Sequence, residues 1–328
     1  MFRSLCAPGA ATSMRGDLLF KCMIAIALLV STHAMGAARP AAIVTILQGR
    51  ATVIRALSQF DAAEGMRLLA DDLVKTDKDT FLRIEYDDQS SIEVGPETQL
   101  QVNHPAARKK TNRPALYVLE GWLKLGAGKS ESGGRPAFAS VGMDVVDLTG
   151  VMVMRGANAS RELFAEQGTA RWVDRDPHGA EPVTLKQGDF LVAAQDRTPQ
   201  MQPRPSADFT AALPRPFRDT LPFRYDLFKD RSVAPKNPVP FNYADVEAWL
   251  NAEPSIRRQF VVMWRRKADN AAFRASLDHD LQKHPEWDPV LHPEKYEPPP
   301  QPPAPTSPAA GSQPPPPPAP ASTSPQNQ

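Results

Sequence analysis

Phe81-Leu82-Arg83-Ile84-Glu85-Tyr86 puts Leu82, Ile84 and Tyr86 on one side of an extended chain, and Arg83 and Glu85 on the other. Successive strand side chains point to opposite faces, so a period of two is what a half-buried antiparallel strand requires. Ser91-Ile92-Glu93-Val94 repeats the alternation, and Leu100 and Val102 extend it. Working outward, the same texture runs from Ala42 to Gln195 with no helical pattern in between. Turn residues or charge clusters interrupt it about every eight to twelve positions, the spacing of an all-β fold. The reading is a mainly β domain over residues 42–195: an antiparallel sandwich, a roll or a short β-helix. Leu82, Ile84, Tyr86, Ile92 and Val94 are expected in its core, with Arg83 on the solvent face.

Residues 1–38 have the layout of an export signal. Arg3, Arg15 and Lys21 form a positive start, Cys22–Val30 is an apolar run of nine, and small residues follow to Ala38. Nine falls far short of the ~20 apolar residues that span a bilayer. Cleavage between Ala37 and Ala41 is expected, with no stable transmembrane span after it. The expected location is the periplasm or another extracytoplasmic space. Both cysteines, Cys6 and Cys22, lie in the signal, so the mature chain is expected to have neither disulfide nor thiolate site. Removing residues 1–38 leaves 35 Lys and Arg against 36 Asp and Glu. That balance gives no drive toward nucleic acid, and no nucleic-acid partner is expected.

Residues 196–240 form a proline-rich connector, with nine prolines between Arg197 and Pro240. Proline removes donors and biases its predecessor away from helix. The large apolar side chains around Phe217 and Phe223 nonetheless predict docking on the β domain or on the helices beyond, and are expected to give those helices a packing surface. Residues 241–297 turn helical. Asn242 suits an N-cap, Pro254 the first position of a second helix, and Phe273, Leu277 and Leu281 one face of a third. Trp264-Arg265-Arg266-Lys267 reads as a solvated helix end. The tail, 298–328, has 14 prolines in 31 residues and no charge, and is expected to stay disordered as a spacer.

Several stretches, in order, resemble the FecR-domain family of extracytoplasmic β domains. Ile43–Val53 is similar to its opening strand, Gly turn and second strand. Gly65–Thr76 is similar to its "Gly, two residues, Leu, then Asp, an aliphatic and Thr". Phe81–Thr98 resembles the strand, Asp-Gly-Ser turn, strand and Pro-x-Thr, and Leu119-Glu120-Gly121 the "Leu-x-Gly" hairpin. Gln167–Val173 and Leu185–Asp189 resemble its closing strands. Two departures stand out. Gln89 replaces the turn glycine, which predicts a different turn geometry or an extra residue. The family's Arg-Gly-Thr element is represented only by Leu148-Thr149-Gly150-Val151. The resemblance implies a protein-interaction or sensory module of the cell envelope whose partner is another envelope protein. With about 20 residues before the apolar run, too few for an anti-sigma domain, direct sigma-factor control is not expected.

No catalytic, cofactor-binding or metal residue is assigned, and no enzyme is expected. His104, His178, His279, His284 and His292 lie beyond the signal. His279, His284 and His292 sit among acids, which fits helix-end capping and charge pairing better than a metal site. Asp71-Asp72 and Asp87-Asp88 read as turn formers rather than a glycosidase pair. Asn158-Ala159-Ser160 is a sequon, and Gly133-Gly134 lacks the strand-to-helix context of a phosphate loop. The alternative function is a cell-wall-associated protein that binds peptidoglycan or another glycan, with Trp122, Trp172 or Tyr117 as stacking platforms.

Overall fold

The computed structural model describes residues 42–103, 114–128, 136–157, 160–176, 178–194, 197–231 and 233–296. The export signal, the tail 298–328, His104, Gly133-Gly134 and Asn158-Ala159 lie outside the described residues. The first eight strands are β1 (Ala42–Gln48), β2 (Ala51–Arg55), β3 (Ser58–Asp61), β4 (Arg67–Leu68), β5 (Asp72–Thr76), β6 (Phe81–Glu85), β7 (Ser91–Val94) and β8 (Gln99–Val102). There follow β9 (Leu116–Gly126), β10 (Pro136–Ser140), β11 (Met143–Ala157), β12 (Ser160–Asp174), β13 (Val183–Lys186), β14 (Phe190–Ala194), β15 (Gln200–Gln202) and β16 (Lys236–Pro240). The helices are α1 (Ala207–Ala212), α2 (Tyr225–Phe228), α3 (Tyr243–Leu250), α4 (Pro254–Met263), α5 (Ala271–His279) and α6 (Asp288–Leu291).

All sixteen strands hydrogen-bond into one sheet, folded over into two layers because β9, β11 and β12 each serve both. The first half of β9 pairs with β8 and β10, as in Leu100–Val118 and Ala139–Tyr117. Its second half pairs with β7 and β11, so that Leu123 faces Val94 on one side and Met154 on the other. The switch falls at Gly121, whose φ of +99° favours glycine. A Cβ there would lie 2.3 Å from Thr98 Oγ1 and 2.4 Å from Thr98 Cα. Thr98 Oγ1 accepts from the Trp122 N–H at 2.8 Å, and Thr76 Oγ1 accepts from the Thr98 N–H at 2.9 Å. Glycine and the two threonines together hold the corner. β11 and β12 turn the same corner at their paired Gly150 and Gly168.

Layer A therefore runs β4-β1-β6-β7-β9-β11-β12-β14-β15, and layer B runs β16-β3-β2-β5-β8-β9-β10-β11-β12-β13. Every strand pair is antiparallel except the short contact of β9 with β10. Val44, Leu82, Ile84, Ile92 and Leu123 of layer A meet Val53, Val74, Leu100, Val118 and Phe138 of layer B in one buried cluster. Of the three expected architectures, the sandwich is realised, and the face assigned to Leu82, Ile84, Tyr86, Ile92 and Val94 is buried.

Both outer faces are covered as well. Over layer B lie the helices, with Phe241, Trp249, Phe260, Trp264 and Phe273 on Ile54, Leu73, Tyr117 and Leu119. Asn242 and Asp245 form a reciprocal capping box at α3, Pro254 opens α4 and Asn270 caps α5. Over layer A lies the connector, with Phe209 and Phe217 on Phe81, Val153 and Phe190.

Four expectations need correction. Arg83 is 6% exposed and Glu85 fully buried, because the connector covers the face that alternation alone leaves to solvent. The connector's Phe217 packs on layer A, across the sandwich from the helices, and Phe223 stays exposed, so neither supplies their packing surface. Gly121 is a corner inside β9, not a hairpin turn. Gln89 itself takes the positive φ, +69°, that glycine would otherwise supply, and Asp88 Oδ1 accepts from the Ser90 N–H at 2.9 Å.

A candidate interaction cleft

A cleft of about 740 Å³ opens where the ends of both layers meet the start of α4. The corner in β12 folds that strand so that Arg161 near its start and Trp172 near its end line the same cleft. Arg161 is held rigidly. Its guanidinium donates to Ser140 Oγ at 2.7 Å, the Ser160 carbonyl at 2.8 Å and the Leu119 carbonyl at 3.0 Å. Burial pulls its pKa below the ordinary arginine value, partly offset by neighbouring acids.

Glu253, just ahead of α4, ties the helical region to the sheet. It pairs with Arg175 and accepts from the Gly142 N–H at 2.9 Å and the Ser255 hydroxyl at 3.0 Å. Arg175 also donates to the Met143 carbonyl at 2.8 Å and to Asp144 at 2.9 Å. Burial opposes its charge, yet Glu253 and Asp144 keep its pKa above the ordinary value. Tyr117 is buried beside this pair, and burial first, then Glu253, pushes its phenol pKa up.

The rim is polar. Asp174 accepts from the Asp176 N–H at 2.9 Å and the Ala180 N–H at 3.1 Å, which sets the loop carrying His178. His178 and Arg197 are exposed. The cleft thus presents both signs of charge on a fixed floor, an arrangement suited to a polar polypeptide segment.

Sequence-derived candidates scatter elsewhere. Trp172 reaches the cleft but is 3% exposed, its indole N–H directed at Met143 Sδ at 3.2 Å. Tyr117 is fully buried, and Trp122 lies under Phe209 with ring centroids 5.2 Å apart. None of the three is an open stacking platform. Asp72 is more than a turn former: it is buried and takes Arg55 in two bonds of 2.8 and 2.6 Å, while desolvation raises its pKa despite that partner. His292 pairs with Asp278 at 2.9 Å, as expected of charge pairing. His284 meets the other expectation, helix-end capping: its buried ring lies 3.1 Å from the Leu277 carbonyl in the last turn of α5 and 3.4 Å from Asn251, and burial lowers its pKa. Lys267, read as part of a solvated helix end, instead stands 3.9 Å from the Phe241 ring centroid. Among the described residues, no cluster of three His, Cys, Asp or Glu could hold a metal, and no helix is long and apolar enough to cross a membrane. Arg161, Arg197 and Glu253, which build the cleft, belong to no short motif, so sequence reasoning had no signal for them.

No protein-family model matches the chain, and no curated protein matches it. Two crystal structures of a "putative anti-sigma factor" from Parabacteroides distasonis are similar over part of it, at 11% and 10% identity and TM-scores of 0.35 and 0.34. Each similarity covers 43% of this chain and under two-thirds of the other protein, 63% and 64%.

Proposed function

We propose that the chain is an exported, non-enzymatic protein-interaction or sensory module of the cell envelope, and that the cleft beside Glu253 is its contact surface. The observation that carries this reading is a rigid floor, Arg161 held by backbone carbonyls and Glu253 held by Arg175, beneath a rim of mixed charge. Its polar side chains are engaged in fixing shape, which suits recognition better than proton transfer. The resemblance of Ile43–Asp189 to FecR-like domains points the same way and supplies the envelope setting. A glycan reading fits less well, since sugar-binding platforms need exposed aromatic faces and Tyr117 and Trp172 are buried.

A photo-crosslinking residue at His178, in the full chain with its own N-terminus, tests this in intact cells. One discrete protein adduct is expected, lost on Arg197→Glu and absent when the probe sits at Lys186. Failure to crosslink, together with sedimentation of the chain on purified peptidoglycan, would favour the glycan alternative.

A further inference from the structure

The cover on layer A is built unlike the rest of the molecule. Residues 206–224 cross it as a strap made of α1, a 3-10 turn at Arg215–Arg218 and an extended run. Two rings anchor it. Phe209 lies 4.9 Å from Phe190 and 5.2 Å from Trp122, and Phe217 lies 6.3 Å from Phe81 and 6.4 Å from Trp122, by ring centroids. Two backbone contacts add to them: Lys124 Nζ donates to the Phe217 carbonyl at 2.6 Å, and the Arg224 N–H donates to Glu85 at 2.7 Å. These are the elements of peptide recognition, with main-chain bonds for affinity and ring pockets for specificity.

Beneath the strap lies an ionic network. Arg83 pairs with Glu85 at 2.7 Å and Glu93 at 2.9 Å, and Lys124 with Glu166 at 2.9 Å. Two cations face three acids, and the second carboxylate oxygen of Glu93 is buried without a hydrogen-bond partner. The strap adds Asp219, a like charge that acts on Glu93. Burying ions is costly, and that cost is recovered when water returns, so lifting the strap offsets part of the apolar contact it loses. A six-residue helix and a four-residue turn do not hold together alone, so a lifted strap unfolds locally.

We propose that the outer face of layer A, under residues 206–224, is a peptide groove that the chain fills with its own strap, and that an extended segment of a partner protein displaces it. The partner segment carries two aromatic residues in the Phe209–Phe217 spacing and a basic residue in place of Asp219, which would match the groove's excess acid. The strap acts as a competing ligand in cis, so the groove's apparent affinity is its intrinsic affinity multiplied by the fraction of molecules that are open. The groove shares no lining residue with the cleft beside Glu253, so either can fail without the other.

The test uses a labelled peptide of residues 204–224, as the native sequence and with Asp219→Lys, titrated by fluorescence anisotropy. The full chain and its Phe209→Ala/Phe217→Ala variant are compared. The variant is expected to bind the native peptide at least tenfold more tightly than the unaltered chain does, and the Asp219→Lys peptide several-fold more tightly still. Equal binding to both proteins, or none to the variant, overturns the groove. Hydrogen exchange on the unaltered chain guards against a variant that does not fold. Strap amides at 206–224 should exchange through an opening that leaves β6, β7 and β14 protected. A single common exchange rate for strap and strands overturns the proposal.

Discussion

The two outer faces of the sandwich are covered in opposite ways. Layer B offers Ile54, Leu73, Tyr117 and Leu119 to a helical cap whose own contribution is aromatic, with Phe260 and Trp264 stacked 4.2 Å apart. Layer A offers Phe81 and Phe190 interleaved with Arg83, Glu85 and Glu93, and receives a thin strap. The first face is a second core, with helices of eight to ten residues, two of them capped by asparagine, sealed on it. The second is a contact between a finished surface and a passing chain. A buried side chain therefore does not mean the same thing on the two sides: under the cap it reports folding, and under the strap it reports docking.

The largest effect that would break this contrast lies in the cap. Trp249→Ala should cost about 3–5 kcal/mol in urea melts, the usual loss for a large aromatic truncated in a packed core. A loss below about 1 kcal/mol would mean that the cap is no better seated than the strap. On the other face, Arg83→Ala leaves Glu85 and Glu93 facing each other. If that face were sealed, removing one partner would cost roughly 3–5 kcal/mol. Because the strap can lift and let water in, about 2 kcal/mol is expected, with a red shift of Trp122 emission reporting the opening. A full 3–5 kcal/mol loss without a shift would make the two covers equivalent.

Acid should separate the faces as well. Burial holds His284 neutral inside the cap, below its ordinary pKa of 6.5. The unfolded chain then binds the proton more readily, so this stability is present above the unfolded pKa and lost as pH falls through it toward the folded value. Urea midpoints followed by tryptophan fluorescence should drop between pH of about 7.5 and 5.5. His284→Gln should flatten the dependence. A midpoint in the unaltered chain that does not move over that range would remove His284 from the account. The smallest effect belongs to the exposed β6–β7 turn at Gln89. Gln89→Gly relieves a positive φ and should raise stability by about 0.5–1 kcal/mol, seen as a small upward shift in Tm.

Local pattern carried much of this architecture. The alternation at Leu82, Ile84, Ile92 and Val94 is a property of a few neighbouring residues, as are the helix starts at Asn242 and Pro254. What the alternation cannot report is whether the other face is covered, since Arg83 and Glu85 look alike under solvent or under a strap. The residue that closes over Glu85 is Arg224, 139 positions away. Gly121 looks like a turn for a related reason: its role is set by Thr98, which crowds it from another strand. The cleft was the least legible part. Arg161 and Trp172 meet through the bend in β12, and Arg197 and Glu253 join them from two further segments, so no spacing along the chain announces the cleft.

Because β9, β11 and β12 each run through both layers, neither layer is a folding unit. Completing one sheet requires the same strands, already bent at Gly121, Gly150 and Gly168, to have begun the other. Such a chain must close long loops before its contacts reward it, which makes folding slow and the native state long-lived once formed. Cutting it within residues 116–174 should yield two halves that do not reassemble. Cutting it between Arg197 and Ser206 should leave the two pieces associated, because the helical cap stays sealed on layer B.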